Sequence, residues 1–134
     1  MQVLLIAESS DYLCNELKQA FSGDYEVHVC TDGCTALELL HSLRPDGLII
    51  NMSLTYMDGL SVLQRASYLP PVIMALCGTL TSYIVHSLQQ VGVSFIMPKA
   101  SRCSATRVCC AAGIVCQGLA SISSRKRAWT AQTI

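Results

Sequence analysis

Apolar residues in this chain come in two alternating textures. Short unbroken runs such as Val3-Leu4-Leu5-Ile6-Ala7 and Gly47-Leu48-Ile49-Ile50 end on polar residues, as strands buried on both faces do. Between such runs the apolar positions recur three or four residues apart, as along Leu13, Leu17, Ala20 and Phe21, which marks one face of a helix. The pattern predicts strands at Val3–Ala7, Glu26–Cys30, Leu48–Asn51, Val72–Cys77 and Ser94–Met97. It predicts helices at Asp11–Phe21, Cys34–Leu43, Gly59–Ser67, Thr81–Val91 and Ser104 to about Ile122. Ser10 or Asp11 is placed to cap the first helix. Arg44-Pro45-Asp46 ends the second, and Pro70-Pro71 separates the third from the fourth strand. Gly113 and Gly118 weaken the last.

Five buried strands alternating with five helices imply an α/β fold, a doubly wound five-stranded parallel sheet with helices on both faces. Such sheets place their functional crevice beyond the C-terminal ends of the strands. The residues at those tips are Glu8 and Ser9, Asn51, Cys77 and Lys99. A chain of 134 residues has room for one domain, assigned here to residues 1–120, which buries roughly two-thirds of its unfolded surface. Residues 121–134 read as a polar, basic tail or linker remnant.

Composition narrows the function classes. Nine basic side chains balance nine acidic ones, so nothing in the total favours nucleic acid or an anionic membrane. Arg125-Lys126-Arg127 is short enough to be a solvated tail. The uncharged stretch from Val108 to Ile122 falls short of the ~20 residues a bilayer span needs. Eight cysteines include no Cys-x-x-Cys pair and no histidines at zinc-finger intervals. They read as reduced cytosolic thiols, mostly small apolar core residues, with no structural zinc or disulfide framework expected.

The tips carry the candidate chemistry. A carboxylate at the end of the third strand could act as nucleophile or metal ligand, whereas the amide of Asn51 does neither at useful strength. Each tip also has a plainer reading. Asn51 could satisfy loop backbone, Glu8 and Lys99 could form an ion-pair lock across the crevice, Cys77 could be a core thiol, and Asp58-Gly59 a turn. His28, His41 and His86 stand near no nucleophile or acid at a catalytic spacing, and no Gly-rich phosphate loop is present.

Four motifs in order carry a resemblance. These are Ile6-Ala7-Glu8-Ser9-Ser10, then Asn51 with Met57-Asp58-Gly59-Leu60, then Pro71-Val72-Ile73-Met74-Ala75-Leu76-Cys77, and Gly92-Val93-Ser94-Phe95-Ile96-Met97-Pro98-Lys99. Over roughly residues 2 to 117 the chain resembles response-regulator receiver domains, the flavodoxin-like (βα)5 fold. Its texture is closest to the receivers of stage 0 sporulation protein A. The resemblance implies phosphoryl transfer onto an aspartate, with two acids and the phosphoacceptor holding Mg2+. A hydroxyl and a lysine would bind the phosphate and move the face built from helix four, strand five and helix five.

Here that set is depleted. Glu8 occupies the first acidic position and Ser9 replaces the second; Asn51 stands at the phosphoacceptor, Cys77 at the Ser/Thr position and Ile96 at the switch aromatic. Lys99 keeps its seven-residue interval from Gly92, but Ala100 follows it where the family has proline. Taking Pro98 as that proline would put Lys99 outside the pocket. Thr55 replaces a common loop proline. The resemblance therefore implies a degenerate receiver, cytoplasmic, neither enzyme nor useful Mg2+ binder. It would act in a phosphorelay as a phosphorylation-independent module, with a protein partner or homodimer on helix four, strand five and helix five. No direct nucleic-acid binding is expected. Two alternatives are the receiver half of a sporulation-type transcriptional regulator lacking its DNA-binding domain, and a thiol sensor using Cys77 or the helix-five cysteines.

Overall fold

The computed structural model describes residues 2–98. Five strands and four helices alternate as β1 Val3–Ala7, α1 Asp11–Phe21, β2 Glu26–Cys30, α2 Gly33–Leu43, β3 Gly47–Asn51, α3 Gly59–Arg65, β4 Val72–Cys77, α4 Ser82–Gln90 and β5 Phe95–Pro98. Lys99, Ala100, the predicted helix 104–122 with its cysteines, and the tail 121–134 lie outside the described residues. The strands form one parallel sheet in the order β2-β1-β3-β4-β5.

Side-chain alternation explains why the central strands read as unbroken apolar runs. Leu4, Ile6, Ile49, Met74 and Leu76 pack on one face with Leu13, Leu17 and Phe21 of α1. Leu5, Ala7, Leu48, Ile50, Ile73 and Ala75 pack on the other with Ala36 and Leu40 of α2, Val62 and Leu63 of α3, and Leu88 of α4. Each fully buried Leu or Ile contributes about 1.5–3 kcal/mol, so both layers are needed. The edge strands carry only half-buried positions at most of their length.

Element ends differ from the predicted ones by a residue or two, each for a local reason. Asp32, not Gly33, stands outside α2, because its carboxylate accepts the Thr35 N–H and hydroxyl, both at 2.8 Å. At the first helix Ser10 is the cap, its Oγ accepting the Leu13 N–H. Helix α3 stops at Arg65 rather than Ser67, since Ala66 turns extended and the Ser67 N–H donates to His41 Nε2 at 3.0 Å. Thr81 caps α4 from outside it. Ser94 precedes β5 and accepts the Ile73 N–H on its hydroxyl.

Two clasps set the ends of the sheet. At the N-terminal end the Asp46 carboxylate accepts the Val3 N–H at 2.8 Å while the Asp46 N–H donates to the Val3 carbonyl at 2.9 Å. At the C-terminal end the β3–α3 loop reaches the start of α2, where the Gly33 N–H donates to the Thr55 carbonyl at 3.0 Å. A Cβ on Gly33 would lie 1.9 Å from the Met57 carbonyl oxygen, whereas one on Gly23 would meet nothing within 4 Å. Gly33→Ala is therefore expected to destabilise the protein by about 1–3 kcal/mol. Gly23→Ala should be neutral or stabilising by up to about 1 kcal/mol, and urea denaturation of the two variants checks the contrast.

Candidate functional site

The sheet brings the tips of β1, β3 and β4 side by side, and their side chains are set by short contacts within their own loops. Glu8 follows β1 with none of its surface exposed. Its N–H donates to the Cys30 carbonyl and its own carbonyl accepts the Cys14 thiol, both at 3.0 Å. Its carboxylate accepts the Ser10 N–H at 2.7 Å, with the Ser9 hydroxyl farther off at 3.5 Å. The acid is thus turned back into the β1–α1 turn, and Ser9 is an exposed residue.

Asn51 ends β3 at 4% exposure, its Oδ1 accepting the Ser53 N–H at 3.0 Å. The Met52 N–H donates to the Leu76 carbonyl, and the Gly59 N–H returns to the Met52 carbonyl. That closure needs Gly59, because a Cβ there would lie 2.5 Å from the Asn51 carbonyl oxygen. Asp58, a turn residue by sequence, proves to be the cap of α3, accepting the Ser61 N–H at 2.8 Å. The Oδ1 contact is one that an amide satisfying loop backbone would make. Cys77 is buried at the end of β4, its thiol donating to the Thr79 carbonyl at 3.0 Å.

Between the β3–α3 and β4–α4 loops lies an open cleft of about 280 Å³, walled by Met52, Leu60 and Ile84 with Asp58, Cys77 and Thr79 at its polar side. The tips of β1, β3 and β4 therefore offer one carboxylate, one amide and one thiol. Ile96 faces away from them, packing among the residues under α4. Lys99 follows Pro98, which pairs with Cys77 in the sheet, but itself lies outside the described residues. So does any ion pair between Lys99 and Glu8.

Sequence reading missed Tyr56. It is 86% exposed on the β3–α3 loop and sits in the left-handed region at φ 69. An aromatic side chain gains nothing there from the fold and carries backbone strain of about 1–2 kcal/mol. No sequence signal marks the conformation, since Gly or Asn usually fills it. The Cys30 thiol at the end of β2 is not activated. Burial, then the charge of Asp32 and the Cys14 thiol, pushes Cys30 up from 9.0 to about 12. The Thr35 N–H and hydroxyl hold the Asp32 carboxyl below its ordinary value.

No protein-family model matches the chain. Among solved structures, the N-terminal domain of an uncharacterized Wolinella succinogenes protein superposes with TM-score 0.79 at 18% identity, covering 94% of this chain and 99% of that one. The response regulator domain of Thermotoga maritima CheB gives 0.73 at 15% identity, covering 89% and 96%. The signal receiver domain of a putative LuxO repressor protein from Vibrio parahaemolyticus gives 0.71 at 17%, covering 91% and 95%. The chain has the receiver fold. Two curated relatives are similar in sequence. One is a protein-glutamate methylesterase/protein-glutamine glutaminase of Pyrococcus abyssi, 30% identical over 105 residues, 73% of this chain. The other is the sensor histidine kinase TmoS of Ectopseudomonas mendocina, 38% identical over 58 residues, 43% of this chain. The receiver-like chain spans 28% and 6% of their lengths.

Two outcomes follow from the site of this receiver fold. The Cys30 thiol keeps its proton in the folded state while the unfolded thiol ionises, so its contribution is present below about pH 9 and is lost as pH rises towards about 12. Denaturant midpoints should fall over that window, and less steeply in Cys30→Ala. Tyr56→Gly should raise stability by about 1 kcal/mol in the same assay, because it relieves the backbone without emptying a core position.

Proposed function

We propose that this chain is a response-regulator receiver domain that has lost phosphoryl-transfer chemistry and serves in phosphorelay signalling as a phosphorylation-independent interaction module. The observation that carries the reading is Asn51, an amide at the tip of β3 whose oxygen is already closed on the Ser53 N–H. An amide oxygen in that position is a weak nucleophile and, being neutral, a poor ligand for a hard dication. Glu8 is the one carboxylate at the tips of β1, β3 and β4, and its oxygen accepts the Ser10 N–H. This donor set does not fit Mg2+, which keeps its water unless anionic oxygens replace it in near-octahedral geometry.

The likeness to stage 0 sporulation protein A receivers rests on the Ile6-Ala7-Glu8 and Met57-Asp58-Gly59-Leu60 texture, and the sporulation context is part of the proposal. The partner surface is proposed around α4 and β5, where Tyr83 and Phe95 are exposed, with the predicted fifth helix. The thiol-sensor alternative is disfavoured for the described cysteines at the crevice. A sensor thiol needs exposure and a depressed pKa, whereas Cys77 is buried and donates to a carbonyl and Cys30 is shifted upward.

The test is an amide NMR titration with Mg2+ and then with beryllofluoride, which mimics a phosphorylated aspartate. Resonances of Glu8, Asn51 and Cys77 should not move; saturable shifts spreading from them to α4 and β5 would sink the reading. Conversely, Asn51→Asp with Ser9→Asp should take up a phosphoryl group from acetyl phosphate when Mg2+ is present, and the parent chain should not.

A further inference from the structure

The nine acids and nine bases that cancel in the total are not mixed along the chain. All nine acids and only three bases, Lys18, Arg44 and Arg65, fall within residues 2–98, which therefore carry a net charge of −6. The remaining six bases, Lys99, Arg102, Arg107, Arg125, Lys126 and Arg127, fall in residues 99–134 with no acid among them, a net +6. The fold sorts the described charges further. Lys18 and Arg65 occupy the last turns of α1 and α3, and Arg44 caps the end of α2, so all three stand at the N-terminal end of the sheet. Asp11, Asp32 and Asp58 stand at the starts of the same three helices, at the end where the cleft opens. Among the described residues that end holds no lysine or arginine.

The cleft itself is mostly apolar, with Asp58 on its polar side. Leu80 and Tyr83, neighbours in sequence of lining residues Thr79 and Ile84, are 42% and 71% exposed beside it. A matching occupant has a flat apolar group flanked by cations. Arg125-Lys126-Arg127-Ala128-Trp129 has that composition and contains the single tryptophan of the chain.

We propose that the cleft receives the Arg125–Trp129 segment of a second copy of this chain, with Trp129 against Met52, Leu60 and Ile84 and the basic triplet facing Asp58. Chain length favours a neighbour over the same molecule. The helix that the pattern predicts over 104–122 would be about 28 Å long, and the seven residues from Ile122 to Trp129 reach at most about 25 Å. If that expected helix ran back along the sheet as the four described ones do, the triplet would fall at the far end of its own molecule. Two copies lying antiparallel present each cleft to the other's segment, and this reciprocal arrangement closes at two. The cleft adjoins the α4 and β5 surface of the functional reading through Tyr83 and Ile84, but the association stands whether or not phosphorylation is lost.

Sedimentation velocity of the full chain under reducing conditions, with Trp129 emission followed in parallel, tests the proposal. At ~50 mM salt the expected species is a dimer with blue-shifted emission, and at ~500 mM salt the dimer weakens by about tenfold or more as screening grows. The triple variant Arg125→Gln, Lys126→Gln, Arg127→Gln should weaken it at least as much at low salt. Asp58→Asn, which keeps a capping oxygen on α3, should weaken it severalfold. A monomer at low salt, a dimer indifferent to salt and to both variants, or blue-shifted emission that persists in the monomer would each overturn it. The last would assign the segment to its own chain.

Discussion

The controlling constraint is that three central strands, β1, β3 and β4, must be covered on both faces at once. Parallel strands cannot be joined by a hairpin, so every connection crosses a face as a helix and returns to the same starting end. Two apolar layers and five co-directional tips follow from that single requirement. With Leu5, Ile6, Ile50 and Leu76 fully buried, the backbone at the strand ends has little freedom to move, and the loops that follow must find hydrogen bonds where the strands leave them. The crevice is a product of packing before it is a product of chemistry.

That separation lets the strand tips carry a serine, an amide and a thiol without cost to the scaffold. Glu8 anchors the β1–α1 turn through the Ser10 N–H, Asn51 anchors the β3–α3 loop through the Ser53 N–H, and Cys77 anchors the β4–α4 loop through the Thr79 carbonyl. Each contact is local, spanning two residues, and each suits a side chain with no role in catalysis. A buried aspartate at position 51 would accept the same N–H but would bring a charge needing a counter-ion. The amide satisfies the loop without that demand.

The central strands were legible because burial on both faces leaves no polar interruption, and the order of motifs placed the crevice. The limits of legibility are equally specific. Whether Gly33 or Cys34 begins α2 depends on which backbone N–H the Asp32 carboxylate reaches, and whether α3 runs to Ser67 depends on His41, twenty-six residues away. Tyr56 could not be foreseen, because left-handed backbone at a tyrosine is imposed by the two loop closures around it. The segregation of charge, by contrast, is written in the sequence and is hidden only by summing over the whole chain.

The contact between Gly33 and Thr55 ties the second βα unit to the loop of the third across twenty-one intervening residues. A contact of that separation forms only after the intervening strand and helix have found their places, since loop closure must be met before the contact returns anything. On that ground the crevice is expected to assemble late in folding, when separately docked units come into register. Variation at its lining residues should fall on a stage where the hydrophobic layers are already in place, which leaves this end of the molecule free to change its chemistry without endangering the order in which the rest is built.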